Sequence, residues 1–356
     1  MFISYRGLIK CGDSFIFKVE KIMPIWSYMR GSKMLDVKVG YHCNNKCIHC
    51  VVDPVRQKIM DNNSKQNLNT QEVLDLISDA KDNGVNTIVL TGGEITIRKD
   101  FKKILTHAAD KGLKVNIQTN GRFFSQKQHS EFMVDLPGLF FIIALHGPTA
   151  QIHDMITQEK GSFQETVDAI INLREINKEI ALKIVISNFN HNNLFETVLF
   201  AKNFDVNEFN IVFPHALDFE EKLFKKVVPK YYLLKDEIIQ SANFSEKEHF
   251  PISFETIPYC ICPDSQAFWK RNCDLLSKAI QNTESRQNAL ELEKYLLNWN
   301  EIRPKMKEKW ENCIKCVFNL LCEGPWKEYV QYYGHAEFVP ITEDKILDLL
   351  EEDVRF

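Results

Sequence analysis

From residue 36 to about residue 213 the chain repeats one pattern: a short apolar or β-branched run, a loop, then a stretch of helical period. The strand-like runs are 36–41, 86–91, 114–119, 139–145, 181–187 and 208–213. Between them, stretches such as 70–83 place Val73, Leu74, Ile77 and Ala80 on one helical face. Thr70 reads as the start of that helix and Gly84 as its stop. Six β–α units require parallel strands joined by crossover helices packed outside the sheet. Six are too few for a closed eight-stranded barrel. The expected fold is therefore α/β, a partial (β/α)6 TIM-type barrel with its chemistry on loops at the strand C-termini.

This places an N-terminal extension at 1–35, a barrel core at 36–215 and a C-terminal extension at 216–356. Regular alternation is lost after Pro214. Residues 274–312 read as a solvated helical stretch, and an acidic helix is expected at 342–353.

Composition narrows the setting. With 44% hydrophobic and 26% charged residues the chain has the balance of a globular protein. A net charge of −4 gives no global attraction to nucleic acid or to an anionic membrane, so neither partner is expected. The longest apolar run of the barrel region, Leu139 to Leu145, is 7 residues, whereas a bilayer span needs about 20. The first residues alternate polar and apolar with no long apolar stretch, so no signal peptide is read. A soluble, cytoplasmic chain is expected.

Ten cysteines in such a chain point to metal binding or chemistry more than to disulfides. Three sit early (Cys43, Cys47, Cys50) and three late (Cys313, Cys316, Cys322), with Cys260, Cys262 and Cys273 between them. Cys11 stands alone and reads as a small buried hydrophobe. The early triplet directly follows the first strand. Three thiolates within eight residues can wrap one cubic iron–sulfur cluster and leave its fourth iron open to a chelating ligand. The competing reading is a zinc knuckle completed by His42 or His49.

Cys43-x3-Cys47-x2-Cys50 after the first strand of a β–α series resembles the signature of the radical S-adenosylmethionine superfamily. Further turns along residues 36–213 agree with it. The second strand ends in Gly92-Gly93-Glu94, similar to the family motif that binds the methionine ammonium. Glycines admit a close ligand there, and a carboxylate suits an ammonium. The third strand ends in Thr119-Asn120-Gly121, similar to the family's Thr-Asn-Gly turn near the cofactor. His146 stands where the family usually shows a Ser-Leu-Asp-Gly turn. His49 takes the place of the aromatic residue before the third cysteine that contacts adenine. His153-Asp154 and Gly161-Ser162-Phe163 resemble the family's entry into the fourth helix, but Thr157 replaces the usual Arg, so no carboxylate-binding role is carried over.

Cys313-x2-Cys316-x5-Cys322 is similar to the auxiliary-cluster extensions called SPASM and Twitch. A full SPASM extension would place another cysteine where Trp326 stands, which leaves one auxiliary cluster. Cys260 is favoured as its fourth ligand, ahead of Cys262 and then Cys273, and a zinc site on the same thiolates is the alternative.

The resemblance implies S-adenosylmethionine, two 4Fe–4S clusters and a one-electron donor such as flavodoxin or ferredoxin. It implies formation of a 5′-deoxyadenosyl radical that takes a hydrogen atom from substrate, with no catalytic side chain assigned beyond the cluster. A ribosomally made peptide is the usual substrate beside such extensions, although the 35 residues before the first strand are few for a peptide-binding domain. A nucleotide- or sugar-like small molecule is the alternative. A non-catalytic electron carrier fits poorly with an intact Gly92-Gly93-Glu94. Asn188, Asn210 and His215 are candidates for substrate contact.

Overall fold

The computed structural model describes residues 9–11, 14–16, 33–61, 67–272, 284–288, 296–298 and 303–346. Seven strands form one parallel, open sheet in sequence order: β1 (Lys33–Lys38), β2 (Val85–Thr91), β3 (Lys114–Thr119), β4 (Leu139–Ala144), β5 (Glu179–Val185), β6 (Glu208–Val212) and β7 (Ile252–Glu255). The partial barrel is as expected, with one strand more than the six read from the pattern. β7 escaped detection because four residues are too short for alternation to show, and a charged, irregular stretch precedes them. The barrel therefore runs past the boundary expected at 215.

Two short strands extend the free edge of β1. Glu284–Asn288 pairs parallel with it, and Leu296–Asn298 pairs antiparallel with that strand. Both fall in the stretch read as helical, whose other residues up to 302 lie outside the described residues, as does Cys273. Ile9–Cys11 and Ser14–Ile16 form a separate two-stranded ribbon. Of the C-terminal helix expected at 342–353, 343–346 is helical, Thr342 precedes it outside the helix, and 347–353 lies outside the described residues.

Crossover helices pack where the pattern places them. After α1 (Val52–Asp61) comes α2 (Thr70–Asp82), which buries Val73, Leu74, Ile77 and Ala80. Its cap is Asn69, not Thr70. Asn69 and Glu72 exchange side-chain and backbone hydrogen bonds in a capping box, while the Thr70 hydroxyl donates to Asp100 Oδ2 at 2.6 Å. α3 (Phe101–Asp110), α4 (Ala150–Thr157), α5 (Ser162–Glu175) and α6 (Leu194–Lys202) follow. α7 (Glu221–Val227) and α8 (Lys235–Lys247) lie between β6 and β7. Asp154 sets the entry to α5 by accepting from Gly161 N, Ser162 Oγ and Phe163 N.

The C-terminal extension docks on the barrel through an aromatic seam. α9 (Lys327–Tyr333) carries Tyr329, which is fully buried against Phe213, Tyr231 and Phe338. Its hydroxyl donates to Glu337 Oε2 at 2.5 Å and accepts from Tyr231 N at 3.0 Å. No helix among the described residues is long and apolar enough to cross a membrane.

Removing one hydroxyl tests this seam. Tyr329→Phe removes one donor from Glu337 Oε2 and one acceptor from Tyr231 N, which keep their own 3.1 Å bond to each other, a loss of about 0.5–1.5 kcal/mol. Urea denaturation should show that drop, and an unchanged midpoint would mean that the hydroxyl is not part of the seam.

Candidate cofactor site and a second thiolate site

The site begins where β1 and β2 leave the sheet. Their ladder continues past the regular strands: Val39 N donates to Thr91 O at 3.0 Å, Gly93 N to Gly40 O at 2.7 Å and Glu94 N to His42 O at 2.8 Å. Side chains cannot fit between chains so close. A Cβ on Gly92 would lie 2.2 Å from Gly40 O, and one on Gly93 would lie 2.1 Å from His42 O. Gly92 also has φ +132, a backbone state that suits glycine. This contact sets the start of the cysteine loop directly beside Glu94.

Glu94 is buried and densely held. Its Oε1 accepts from Thr96 N (3.1 Å), Thr96 Oγ1 (2.6 Å) and Thr119 Oγ1 (2.7 Å), and its Oε2 accepts from Asn120 N (2.7 Å). Burial raises its pKa, and the four donors oppose that shift. Thr119 also accepts from Gly121 N at 3.0 Å, so its hydroxyl orients Glu94 and closes the turn. With Oε1 filled by three donors, Oε2 is the oxygen with capacity left for an ammonium.

The cysteine loop is clamped from three sides. Asn120 Nδ2 donates to Asn44 Oδ1 at 2.7 Å. Arg122 donates to Asn44 O (2.6 Å) and Asn45 Oδ1 (2.8 Å) and pairs with Glu165. Lys46 N and Ile48 N donate to Thr157 O (2.9 Å) and Ile156 O (3.0 Å), the carbonyls at the open end of α4. Thr157 thus holds the loop through its backbone, while its hydroxyl lies 2.6 Å from Ser162 Oγ.

Within the loop, burial pushes the Cys43 thiol up to about 11 and the Cys47 thiol up to about 12, with neighbouring cysteines adding to both. Cys50 is raised by burial as well. Three crowded thiolates are costly alone and are suited to a cationic iron core, so the donor set fits an iron–sulfur cluster.

A buried imidazole group covers the loop. The His49 and His146 ring centroids are 4.6 Å apart and the rings are edge-on, with His153 behind them at 5.6 Å from His146. His146 N donates to His153 Nδ1 at 3.2 Å, and His146 O accepts from Asn190 Nδ2 at 3.0 Å. Burial pulls His49 and His153 down to about 4 and His146 well below the ordinary range, so all three are neutral near pH 7. The Nδ1 atoms of His49 and His146 are buried without a hydrogen-bond partner.

The late cysteines meet elsewhere. Cys260, Cys313, Cys316 and Cys322 line one cavity together with Tyr259, Trp310, Gly324 and Pro325. Burial first, then the charges of Cys322, Cys316 and Cys313, raise the Cys260 pKa. Cys262 turns away into the core, its sulfur 3.9 Å from Lys235 O. Beside this cavity Trp326 stacks on His215, with centroids 3.9 Å apart, and carries the Lys307 ammonium 3.4 Å from its ring centroid. Lys307 is pushed down to about 7 by burial and by Arg303, which itself forms a fork with Glu323. Lys307 Nζ, Trp326 Nε1, His215 Nε2 and Glu328 Oε2 all lack hydrogen-bond partners.

Of the residues read for substrate contact, only His215 belongs to this group, its Nε2 lying 3.9 Å from Glu328 Oε1. Asn188 Nδ2 donates to the carbonyls of Lys225, Lys226 and Val228 at the end of α7, and Asn210 Oδ1 accepts from Ser253 Oγ. Arg122, Asn190 and Lys307 were missed by sequence reasoning. A cation just past the Asn120-Gly121 turn was the one available signal for Arg122.

Residues 37–201 match the Radical SAM superfamily. Over 174 residues the chain is 28% identical to the Fe-coproporphyrin III synthase of Methanosarcina barkeri, covering 49% of this chain and 39% of that protein. Over 133 residues it is 28% identical to the antilisterial bacteriocin subtilosin biosynthesis protein AlbA of Bacillus subtilis, covering 37% and 28%. The matches thus span well under half the length of these curated relatives. The fold resembles that of Streptococcus suis SuiB bound to precursor peptide SuiA, with a TM-score of 0.60 at 15% identity over 87% of this chain and 75% of that one.

The Arg122 clamp can be tested directly. Arg122→Ala removes two contacts from a charged donor, about 1.5–3 kcal/mol each. It should lower the iron retained at the early triplet after anaerobic reconstitution while far-ultraviolet circular dichroism stays unchanged. Full iron retention would show that the loop holds its shape without Arg122.

Proposed function

The chain is a member of the radical SAM superfamily, and from that premise we propose that it modifies a peptide substrate at a cofactor site built on Cys43, Cys47 and Cys50. The observation that carries this reading is the convergence of the cysteine loop, Gly92-Gly93-Glu94 and Thr119-Asn120 at one end of the sheet. When bound there, a 4Fe–4S cluster and S-adenosylmethionine supply one-electron cleavage of the sulfonium C–S bond and a 5′-deoxyadenosyl radical that takes a hydrogen atom from substrate.

The chain's own residues do the positioning. Cys43, Cys47 and Cys50 are the cluster ligands, and the Asn44–Lys46 backbone is held so that they face inward. Gly92 and Gly93 present bare backbone to the methionine end, and Glu94 Oε2 takes its ammonium. Neutral His49 and His146 line the adenosine side and help exclude water. Thr119 and Asn120 keep Glu94 oriented.

Cys260, Cys313, Cys316 and Cys322 are the proposed ligands of a second 4Fe–4S cluster. Geometry favours this over zinc. Among the described residues, only Cys47, His49 and His146 bring three ligand atoms within 4.8 Å of one another. A single zinc holds its sulfurs at about 2.3 Å, and hence within about 4.6 Å of each other. Four thiols lining one cavity more loosely suit a larger core. A closed four-cysteine site acts as an electron relay, fed or drained by a partner of the flavodoxin or ferredoxin type.

Two observations support a peptide substrate: the fold likeness to SuiB covers more of the chain than the barrel alone occupies, and one sequence relative is named for bacteriocin biosynthesis. The match to a coproporphyrin synthase favours the second reading, a small-molecule substrate.

The reading predicts that replacing Cys43, Cys47 and Cys50 together by Ala abolishes 5′-deoxyadenosine formation under dithionite, measured by liquid chromatography. Undiminished cleavage would end the assignment. Cys260→Ala should cost about four irons per chain, the content of one cubic cluster, without stopping cleavage at the early triplet. Cys262→Ala should keep its iron, and the reverse pattern would move the fourth ligand to Cys262.

A further inference from the structure

We propose that the cluster-free protein binds one divalent ion of the zinc type on Cys47 Sγ and one ring nitrogen each of His49 and His146, and that this ion and the iron–sulfur cluster exclude each other. The three ligand atoms lie within 4.8 Å of one another, the only such group among the described residues. Both imidazole Nδ1 atoms are buried and lack any hydrogen-bond partner. Polar atoms buried in this way normally find a partner, and two on rings that gather with one thiol suit a common one.

The geometry suits a small ion. Zinc takes nitrogen at about 2.0–2.1 Å and sulfur at about 2.3 Å, so the ligand atoms need only close slightly around it. Zinc takes both thiolate sulfur and imidazole nitrogen, and three protein ligands leave it a fourth position open.

The ligands are also held in place. His146 is fixed behind by His153 Nδ1 and Asn190 Nδ2. His49 follows Ile48, whose N–H is anchored on Ile156 O. Cys47 and His49 retain partial solvent access, which gives the ion its entry. His42, the other histidine beside the triplet, is exposed and not part of the group.

Binding deprotonates Cys47 and releases that proton to solvent, with no change of oxidation state. The exclusion half of the proposal rests on Cys47 also being a cluster ligand. An ion that holds Cys47 removes one of three thiolates from cluster assembly, so zinc would delay loading of the first site.

The experiment titrates the full-length, cluster-free chain anaerobically with Zn2+ by calorimetry, and with Co2+ by its thiolate charge-transfer band. Cys47→Ser defines the site as the binding lost in that variant, which separates it from ions taken by the late cysteines. His49→Gln and His146→Gln should each weaken that binding at least tenfold, and Cys43→Ser should change it less than threefold. Equal losses in Cys43→Ser and none in the histidine variants would place the ion on the three thiolates and overturn the proposal.

Iron uptake then tests the exclusion. One equivalent of Zn2+ should slow uptake severalfold in the parent chain and not in His146→Gln, and uptake indifferent to zinc would refute it. Iron uptake without zinc, compared between the parent chain and the chain with Cys43, Cys47 and Cys50 all replaced by Ala, reports on the cysteine triplet, so equal uptake by the two counts against the cluster reading and not against the zinc site.

Discussion

The site depends on a contact that contains no side chains. Gly92 and Gly93 lie so close to the Gly40–His42 backbone that any Cβ would collide with a carbonyl oxygen. That approach continues the β1–β2 ladder beyond the regular strands, and three hydrogen bonds fix it. The cysteine loop therefore leaves the sheet at a defined point, beside a buried carboxylate. A larger residue at either glycine would push apart the two segments that supply the thiols and Glu94.

Around that contact the chain uses polar side chains as struts. Glu94 is held by donors from its own turn and from the end of β3. Arg122 ties the same β3 turn to Asn44 and Asn45, and the end carbonyls of α4 take the loop's N–H groups. Three successive strand ends thus converge on one loop. A site built this way is preorganised: the groups that must stay fixed are bonded to neighbours that are themselves bonded. The imidazole group is the exception, since burial keeps His49 and His146 neutral while two of their nitrogens remain unpaired.

The extension repeats the theme with aromatic surface in place of polar struts. Tyr329, Phe338 and Trp326 bury against Phe213 and His215, just past β6, and against Tyr231, which follows α7. That seam holds the four-cysteine cavity against the barrel. It also buries the Lys307 ammonium over the indole of Trp326, an attraction that partly offsets its lost hydration. Charge and ring both sit where the barrel's open end meets the second thiolate site, so barrel and extension form one chemical environment.

Much of this was determined by the sequence alone. Period-two and period-3.6 alternation is local, so the β–α series and its open, parallel sheet could be read directly. The early cysteine triplet and the Gly92-Gly93-Glu94 and Thr119-Asn120 turns were also legible, because each is a short motif at a strand end. The seventh strand was hidden by its four-residue length, and Asn69 rather than Thr70 proved to be the cap because only the folded turn shows which oxygen reaches Glu72. Tertiary structure alone could separate Cys260 from Cys262, two residues apart in one turn, since which side chain faces the cavity depends on the packing of the extension. It alone could bring His146 onto His49 and Cys47, and Arg122 onto Asn44. Those partners lie some eighty to a hundred residues apart, and no local pattern encodes a contact made only when separate strand ends meet.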